Sequence, residues 1–119
     1  MLFASSLQQI LDTLPDAIAV GIVSIEGLVI ETAVRGVDKR DQNGEFSDAA
    51  LMLGRLTKNQ GVLKIGIPLS MNAISDENTW MVRRFAEKYV LALRGRPYLN
   101  VSKASYVMRL ILPDVAKYI

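Results

Sequence analysis

The chain has no cysteine and no histidine among its 119 residues. Their absence excludes disulfides, a thiol nucleophile, the usual general base near neutral pH and the common zinc sites. No apolar run approaches the length of a membrane span, and the N-terminus lacks the basic segment of a signal peptide. We therefore expect a cytoplasmic protein that is not an enzyme, with no catalytic residues, no metal, no cofactor and no membrane span.

Half of the residues are hydrophobic and 22% are charged, which is typical of a globular protein. The length suits one domain spanning residues 1–119. The net charge of +2 is uneven, because residues 1–75 carry −2 and residues 76–119 carry +4. This asymmetry permits an acidic or phosphate-rich partner, although a solvated basic face is the commoner explanation.

Residues 17–34 are predicted to form two strands joined by a tight turn at Glu26-Gly27. The first strand is apolar on both of its faces, so we expect protein on both sides of it. One face has small side chains that let a helix come close, and the other offers branched side chains to a second layer. The small face is Ala17, Ala19, Gly21 and Val23, and the branched face is Ile18, Val20 and Ile22.

The remaining segments predict three helices and three more strands. A short amphipathic helix ends at Leu14 before Pro15, and a long helix begins at the cap Ser47 and ends at Gly66 and Pro68. Its core face is Ala49, Met52, Leu53, Leu56 and Leu63. Strands are expected over Leu69–Ser75, Thr79–Phe85 and Lys88–Arg94, then a helix capped by Asn100 that Pro113 kinks or restarts. The predicted class is α+β, in the order α-β-β-α-β-β-β-α.

Small residues recur along the long helix at Ala50, Gly54, Thr57 and Gly61. Two glycines in a helix cost about 1 kcal/mol each relative to alanine, and close approach of another backbone, here that of a second chain, would offset that cost. Alternatively, the small residues sit on the chain's own sheet, or Gly61 ends the helix early. The first interpretation predicts that Gly54→Leu separates two chains. The predicted dimer interface is Ala50, Leu51, Gly54, Thr57, Lys58, Gly61, Val62 and Ile65.

Other candidate sites have simpler explanations. Asp76-Glu77 reads as a strand turn rather than an acid–base pair, and Gly61–Gly66 lacks the lysine and hydroxyl that a phosphate loop requires. Arg94, Arg96 and Tyr98 are basic and aromatic residues that could contact nucleic acid. Because no recognised motif accompanies them, we expect no nucleic-acid partner.

Two stretches carry a resemblance to a known family. They are LQQILDTLPDAIAVGIVSIEGLVIETA at residues 7–33 and EKYVLALRG at residues 87–95, followed by the helix from Asn100. In this pattern the chain resembles the roadblock/dynein light chain family over nearly its whole length. It departs from the family at the Glu-Gly turn, where members often have Asp-Gly, and at Ser102, where many have glycine. Residues 61–72 fit only loosely.

The resemblance implies a five-stranded antiparallel sheet, with the long helix on one face and the first and last helices on the other. Family members dimerise by placing their long helices side by side, often continuing the sheet through the second strand. The expected partners are a second copy of this chain or another roadblock chain, and a small Ras-like GTPase. The alternatives are a small-molecule sensor, or an adaptor in a signalling or motor complex without a GTPase.

Overall fold

The computed structural model describes residues 3–36, 43–58 and 69–119. In these ranges it has three helices and five strands in the predicted order α-β-β-α-β-β-β-α. The elements are α1 (Ala4–Thr13), β1 (Ala17–Ser24), β2 (Val29–Val34), α2 (Asn43–Lys58), β3 (Ser70–Ile74), β4 (Thr79–Phe85), β5 (Tyr89–Gly95) and α3 (Val101–Ala116).

The five strands form one antiparallel sheet in the order β2-β1-β5-β4-β3. β1 and β5 are central, which fits their apolar residues on both faces, and Ile22 pairs with Leu91 between them. β2 and β3 are the two edges, and their side chains are correspondingly half-buried or exposed. Among the described residues, no further strand pairs with the outer side of either edge.

The two faces of the sheet are covered by different helices, as the resemblance implied. On one face, α1 and α3 pack against Val20 and Ile22 of β1 and Leu91 and Leu93 of β5. On the other face, α2 packs against small or short side chains of the same central strands. This second cluster contains Ala19, Val23, Phe46, Ala49, Ala50, Leu53, Val82, Val90 and Ala92.

The side chain of Phe46, in the first turns of α2, is fully buried between that helix and the sheet. It fills the space above the small side chains of β1. A Cβ atom on Gly21 would lie 3.3 Å from the Phe46 ring, so glycine there lets the ring reach the sheet. The ring also contacts Trp80 edge to face, with 5.5 Å between centroids. The small residues that predicted a close helix therefore accommodate an aromatic ring from that helix.

The ends of the outer helices follow the predicted signals with one difference. Leu14 is extended immediately before Pro15, and the Asn100 side chain accepts a hydrogen bond of 3.1 Å from the backbone N–H of Lys103. Pro113 does not restart the helix, since α3 continues from Val101 to Ala116. Proline removes one backbone donor, and the burial of Val115 on the core side holds the last turn in place.

The predicted start of the long helix is wrong by one turn, because α2 begins at Asn43 and not after Ser47. The Ser47 hydroxyl instead donates a hydrogen bond of 2.6 Å to the carbonyl of Gly27 in the β1–β2 turn. That turn spans residues 25–28, with Gly27 at φ +98°, so it is longer than the expected two-residue loop. The predicted helix end at Gly66 and Pro68 lies outside the described residues.

Candidate interaction surface

Helix α2 presents a buried side and two different flanks. Phe46, Ala50 and Leu53 face the sheet and have no exposed surface. One flank lies against the β1–β2 turn and is called the hairpin flank. The other flank overlooks β3 and β4 and is called the groove flank. The helical repeat of about 100° per residue separates these sides around the axis.

The hairpin flank is occupied by the chain itself. A Cβ atom on Gly54 would lie 3.2 Å from the carbonyl oxygen of Ile25, and the Leu51 side chain lies 3.4 Å from the corresponding position on Gly27. Ala50 is fully buried in the chain's own core. For Ala50 and Gly54, the small side chains thus accommodate the chain's own sheet and turn, which is the second of the two sequence interpretations.

The other residues of the predicted interface have no described surroundings. Thr57 and Lys58 belong to the last turn of α2, but their side chains are outside what the structure describes. Gly61, Val62 and Ile65 lie wholly outside the described residues. The dimer interface on this helix therefore stays a prediction.

The Gly54→Leu variant is expected to destabilise the individual chain, whatever its oligomeric state. Leucine must displace the backbone of Ile25, only 3.2 Å from the new Cβ atom. Such overpacking costs about 1–3 kcal/mol, against a gain of about 1 kcal/mol in helix propensity. Urea denaturation at a protein concentration low enough to keep the chain monomeric measures this loss. Gly44→Leu is the control, because no described atom outside its own helix turn lies within 4 Å of a Cβ atom at that position. Because Gly44→Leu gains only the helix propensity, Gly54→Leu should be less stable than Gly44→Leu, and equal stability of these two variants would contradict the assigned contact.

The groove flank borders an open apolar groove of about 270 Å³. Its floor is the outer part of β3 and β4, which α2 does not cover, and its wall is α2. Met52, predicted to face the core, instead lies in this wall and is 48% exposed. The lining is Ala49, Met52, Met71, Ala73, Trp80 and Val82, with the carboxylates of Glu45 and Asp48 at the rim.

Glu45, in the first turn of α2, also lies close to a buried arginine of the sheet. Arg94 of β5 is 3% exposed on the α2 face, and its Nη1 atom lies 3.7 Å from a Glu45 carboxylate oxygen. Its burial is consistent with the strand alternation that places residues 90, 92 and 94 on one face. A carboxylate in the first turn of a helix also complements the helix dipole.

The sequence grouping of Arg94, Arg96 and Tyr98 is not a common surface. Arg96 and Tyr98 are exposed, and the Arg96 guanidinium donates a hydrogen bond of 3.4 Å to the Tyr98 hydroxyl. This contact raises the pKa of Arg96. Arg94 is buried against α2, so it cannot neutralise a ligand beside the other two.

The described ranges hold no group of three side chains that could bind a metal ion. Within them, no helix is both long and apolar enough to cross a membrane.

Solved structures share this arrangement over almost all of the chain. The chain is similar to MglC from Myxococcus xanthus, with 23% identity, full coverage of both chains and a TM-score of 0.70. It is similar to the gliding protein MglB from Thermus thermophilus, with 11% identity, 96% of this chain and 85% of that chain covered, and a TM-score of 0.82. A Roadblock/LC7 domain from Streptomyces avermitilis gives 15% identity, coverage of 96% and 94%, and a TM-score of 0.74.

The chain has the roadblock/LC7 fold. No family model matches the sequence, and no curated protein matches it either. At these identities the likeness extends to the backbone arrangement, while side chains differ at most positions. The groove between α2 and β3 has a volume of about 270 Å³, and a second recess, around Leu69, Arg84 and Phe85, has a volume of about 560 Å³.

The sequence contained a signal for this groove that the predictions did not use. Trp80 and Val82 alternate with Met81 on β4, and Met71 and Ala73 hold the paired positions on β3. These four apolar side chains share one face at the edge of the sheet. A single helix cannot cover five strands, so an apolar outer pair of strands predicts either a second cover or an exposed groove.

Proposed function

We propose that this chain is a non-enzymatic dimeric scaffold that binds and regulates a small Ras-like GTPase. The observation that carries the proposal is the roadblock/LC7 fold, which is shared with MglB and MglC over nearly the full length of the chain. The family resemblance in the sequence implies a GTPase partner for bacterial and archaeal members. The polar residues of the described ranges supply no competing catalytic arrangement that we can recognise.

The groove flank of α2 supports the dimeric part of the proposal. It exposes Met52 and part of Trp80 beside the free edge of β3. Contiguous apolar surface beside an unpaired strand edge favours contact with another chain. The hairpin flank, by contrast, is filled by residues 25–27 of the same chain. We therefore propose that a second roadblock chain, identical or related, approaches from the β3 side rather than through β2.

The GTPase part is tested by affinity capture from a lysate of the source organism. The lysate is incubated with the immobilised chain in the presence of GDP or of a non-hydrolysable GTP analogue. The bound proteins are then identified by mass spectrometry. We expect a small GTPase that is retained with one nucleotide and lost with the other. The captured GTPase is then purified and titrated calorimetrically against the chain. Capture without any GTPase in either nucleotide state would contradict the proposal and favour an adaptor in another complex.

The groove also gives the sensor alternative a specific location. Its volume of about 270 Å³ is slightly below the range of about 300–1,000 Å³ that is usual for ligand pockets, and its polar groups are confined to the rim. A metabolite that binds there would raise the melting temperature and change the emission of Trp80, the single tryptophan of the chain. A scaffold should show neither change with small molecules, so a thermal screen separates the two functions.

A further inference from the structure

A small polar recess lies between β3, β4 and α3, on the face of the sheet that α1 and α3 cover. Its volume is about 30 Å³. Met81 and Met108, which belong to the core, form its inner end. Its polar lining consists of two hydroxyl groups, one amide and one guanidinium, from Ser70, Ser105, Asn72 and Arg83. The recess therefore combines one positive charge with three neutral hydrogen-bond donors.

Strand pairing brings three of these polar side chains together. Ser70 of β3 is paired with Arg83 of β4, and Asn72 is paired with Met81. Directly opposed residues of an antiparallel pair have Cβ atoms about 4.5–5.5 Å apart, and residues two apart on a strand share one face. The hydroxyl of Ser105 joins them from the half-buried side of α3. Side chains that are distant in sequence thus line one space.

The positive charge in the recess has no anion to balance it among the described residues. Arg83 is half-buried, yet no described side chain forms an ion pair or a hydrogen bond with its guanidinium. Residues 59–75, 79–86 and 101–113, which include β3, β4 and most of α3, contain no aspartate or glutamate. Taking a charged group out of water costs free energy unless pairing compensates for it. An external anion would provide that compensation.

We propose that this recess binds a carboxylate group, supplied by an aspartate or glutamate side chain of a protein partner. The Arg83 guanidinium can donate two parallel hydrogen bonds to the two carboxylate oxygens, and the hydroxyl and amide donors complete the contacts. A cavity needs about 10–15 Å³ for each water-sized group, so about 30 Å³ accommodates two oxygen atoms. The four oxygens of a phosphate exceed that space.

The small volume favours a side chain of a larger molecule over a free acid. A free carboxylate of three or four heavy atoms gains little affinity from so few contacts. Ser70 and Asn72 are exposed at the outer end of the recess, so a partner's backbone remains outside while its carboxylate enters. The recess and the groove flank lie on opposite faces of the sheet, and the inference therefore does not depend on the proposed dimer.

Acetate is the probe for the carboxylate group. The ¹⁵N-labelled full chain is titrated with sodium acetate, which replaces sodium chloride at constant ionic strength, and the arginine Nε–H signals are followed by NMR. We expect a saturable shift of the Arg83 signal, which is identified by its absence in Arg83→Gln. Arg109, exposed on α3, should show no saturable shift. Equal responses of the two arginines would mean that Arg83 is only solvated and would overturn the proposal.

Substitutions in the recess test the assigned donors. Arg83→Gln should weaken acetate binding at least about tenfold, since hydrogen bonds to charged groups are the strong ones. Ser105→Ala removes one neutral donor and should weaken it about threefold. The Asn72 side-chain amide signal reports binding in both variants, and unchanged signals elsewhere verify the fold. Arg109→Gln is the matched control and should bind acetate like the wild type. Equal affinities of Arg83→Gln and wild type would contradict the site.

Two further probes test the source and the chemistry of the ligand. A capped pentapeptide of glycines with a central glutamate should shift the same signals, and its glutamine counterpart should not. If acetate bound but the glutamate peptide did not, a side chain of a partner would be excluded as the source. Inorganic phosphate should bind less tightly than acetate at the same ionic strength, and tighter binding would overturn the carboxylate assignment. These titrations need neither a GTPase nor a second roadblock chain, so their failure is distinguishable from failure of the proposed function.

Discussion

Replacing Phe46 with alanine is expected to remove about 3–5 kcal/mol from the free energy of unfolding, as is usual for a fully buried aromatic side chain. Phe46 has no exposed surface and connects α2 to two strands through Gly21 and Trp80. The void cannot be filled from below, because Gly21 has no side chain to move into it. The free energy of unfolding of a typical domain is only about 5–15 kcal/mol, so the variant should lose a large share of its stability.

Urea denaturation at a fixed protein concentration, followed by circular dichroism and by Trp80 fluorescence, measures this loss. The edge-to-face contact of 5.5 Å makes Trp80 a reporter of this face of the sheet. Phe46→Leu is the graded control, since it keeps most of the apolar volume and should cost clearly less. A change of less than about 1 kcal/mol in the free energy of unfolding of Phe46→Ala would contradict the described packing of α2 on the sheet.

The same residue shows why the start of α2 could not be predicted. Asn43 and Gly44 are a turn signal, and glycine inside a helix costs about 1 kcal/mol relative to alanine. Burial of the Phe46 ring outweighs that cost. The burial depends on a recess at Gly21, which lies more than twenty residues earlier in the chain. Local sequence preferences contain no information about that recess.

The sheet was predictable because its signals are periodic. Alternation gave most faces correctly: Val20, Met81 and Leu91 meet α1 and α3, while Val82 and Ala92 meet α2. Ala17 was predicted to lie on the face of Ala19 but belongs to the α1 and α3 side, because the pairing of β1 with β5 shifts register between residues 17 and 19. The single five-stranded antiparallel sheet and the helices on each of its faces followed from the family resemblance rather than from periodicity. The structure confirms both.

The interaction surface was less predictable, since spacing does not identify the neighbour. Gly54 permits close approach of a backbone, and the structure identifies that backbone as Ile25 of the same chain. Met52 lies about 120° around the helix from Phe46, at the margin of the apolar side, where burial depends on whether another element covers it. None of the helices and strands that the structure describes covers β3 and β4 there, and Met52 is 48% exposed.

Replacing Arg35 with alanine is expected to destabilise the chain by about 1.5–3 kcal/mol, the range for hydrogen bonds to a charged group. Arg35 follows β2 directly, and its guanidinium reaches back under the end of α1. Its Nε atom donates to the carbonyl of Ala17 at 2.7 Å, and Nη2 donates to the carbonyls of Leu14, at 2.9 Å, and Leu11. The carbonyls of Leu11 and Leu14 stand at the C-terminal end of α1, where the backbone lacks helical partners and the helix dipole is negative.

Arg35→Lys separates the charge from the hydrogen bonds. Lysine keeps the favourable interaction with the helix end, but a single ammonium group cannot reproduce the planar arrangement that serves three carbonyls. We therefore expect an intermediate loss of stability. Arg109→Ala on the exposed side of α3 should be nearly neutral.

The region that Arg35 stabilises gives this prediction a second readout. The side chain ties the edge strand β2 to α1, so Arg35→Ala should loosen both before the rest of the sheet. Amide hydrogen exchange should accelerate at Leu11 to Leu14 and in β2 more than in β4 and β5. If protection fell evenly over the whole sheet, Arg35 would contribute to global stability without holding this corner. If protection and stability were both unchanged, the three hydrogen bonds would be energetically insignificant and the attachment of β2 to α1 would have to rest on apolar contacts alone.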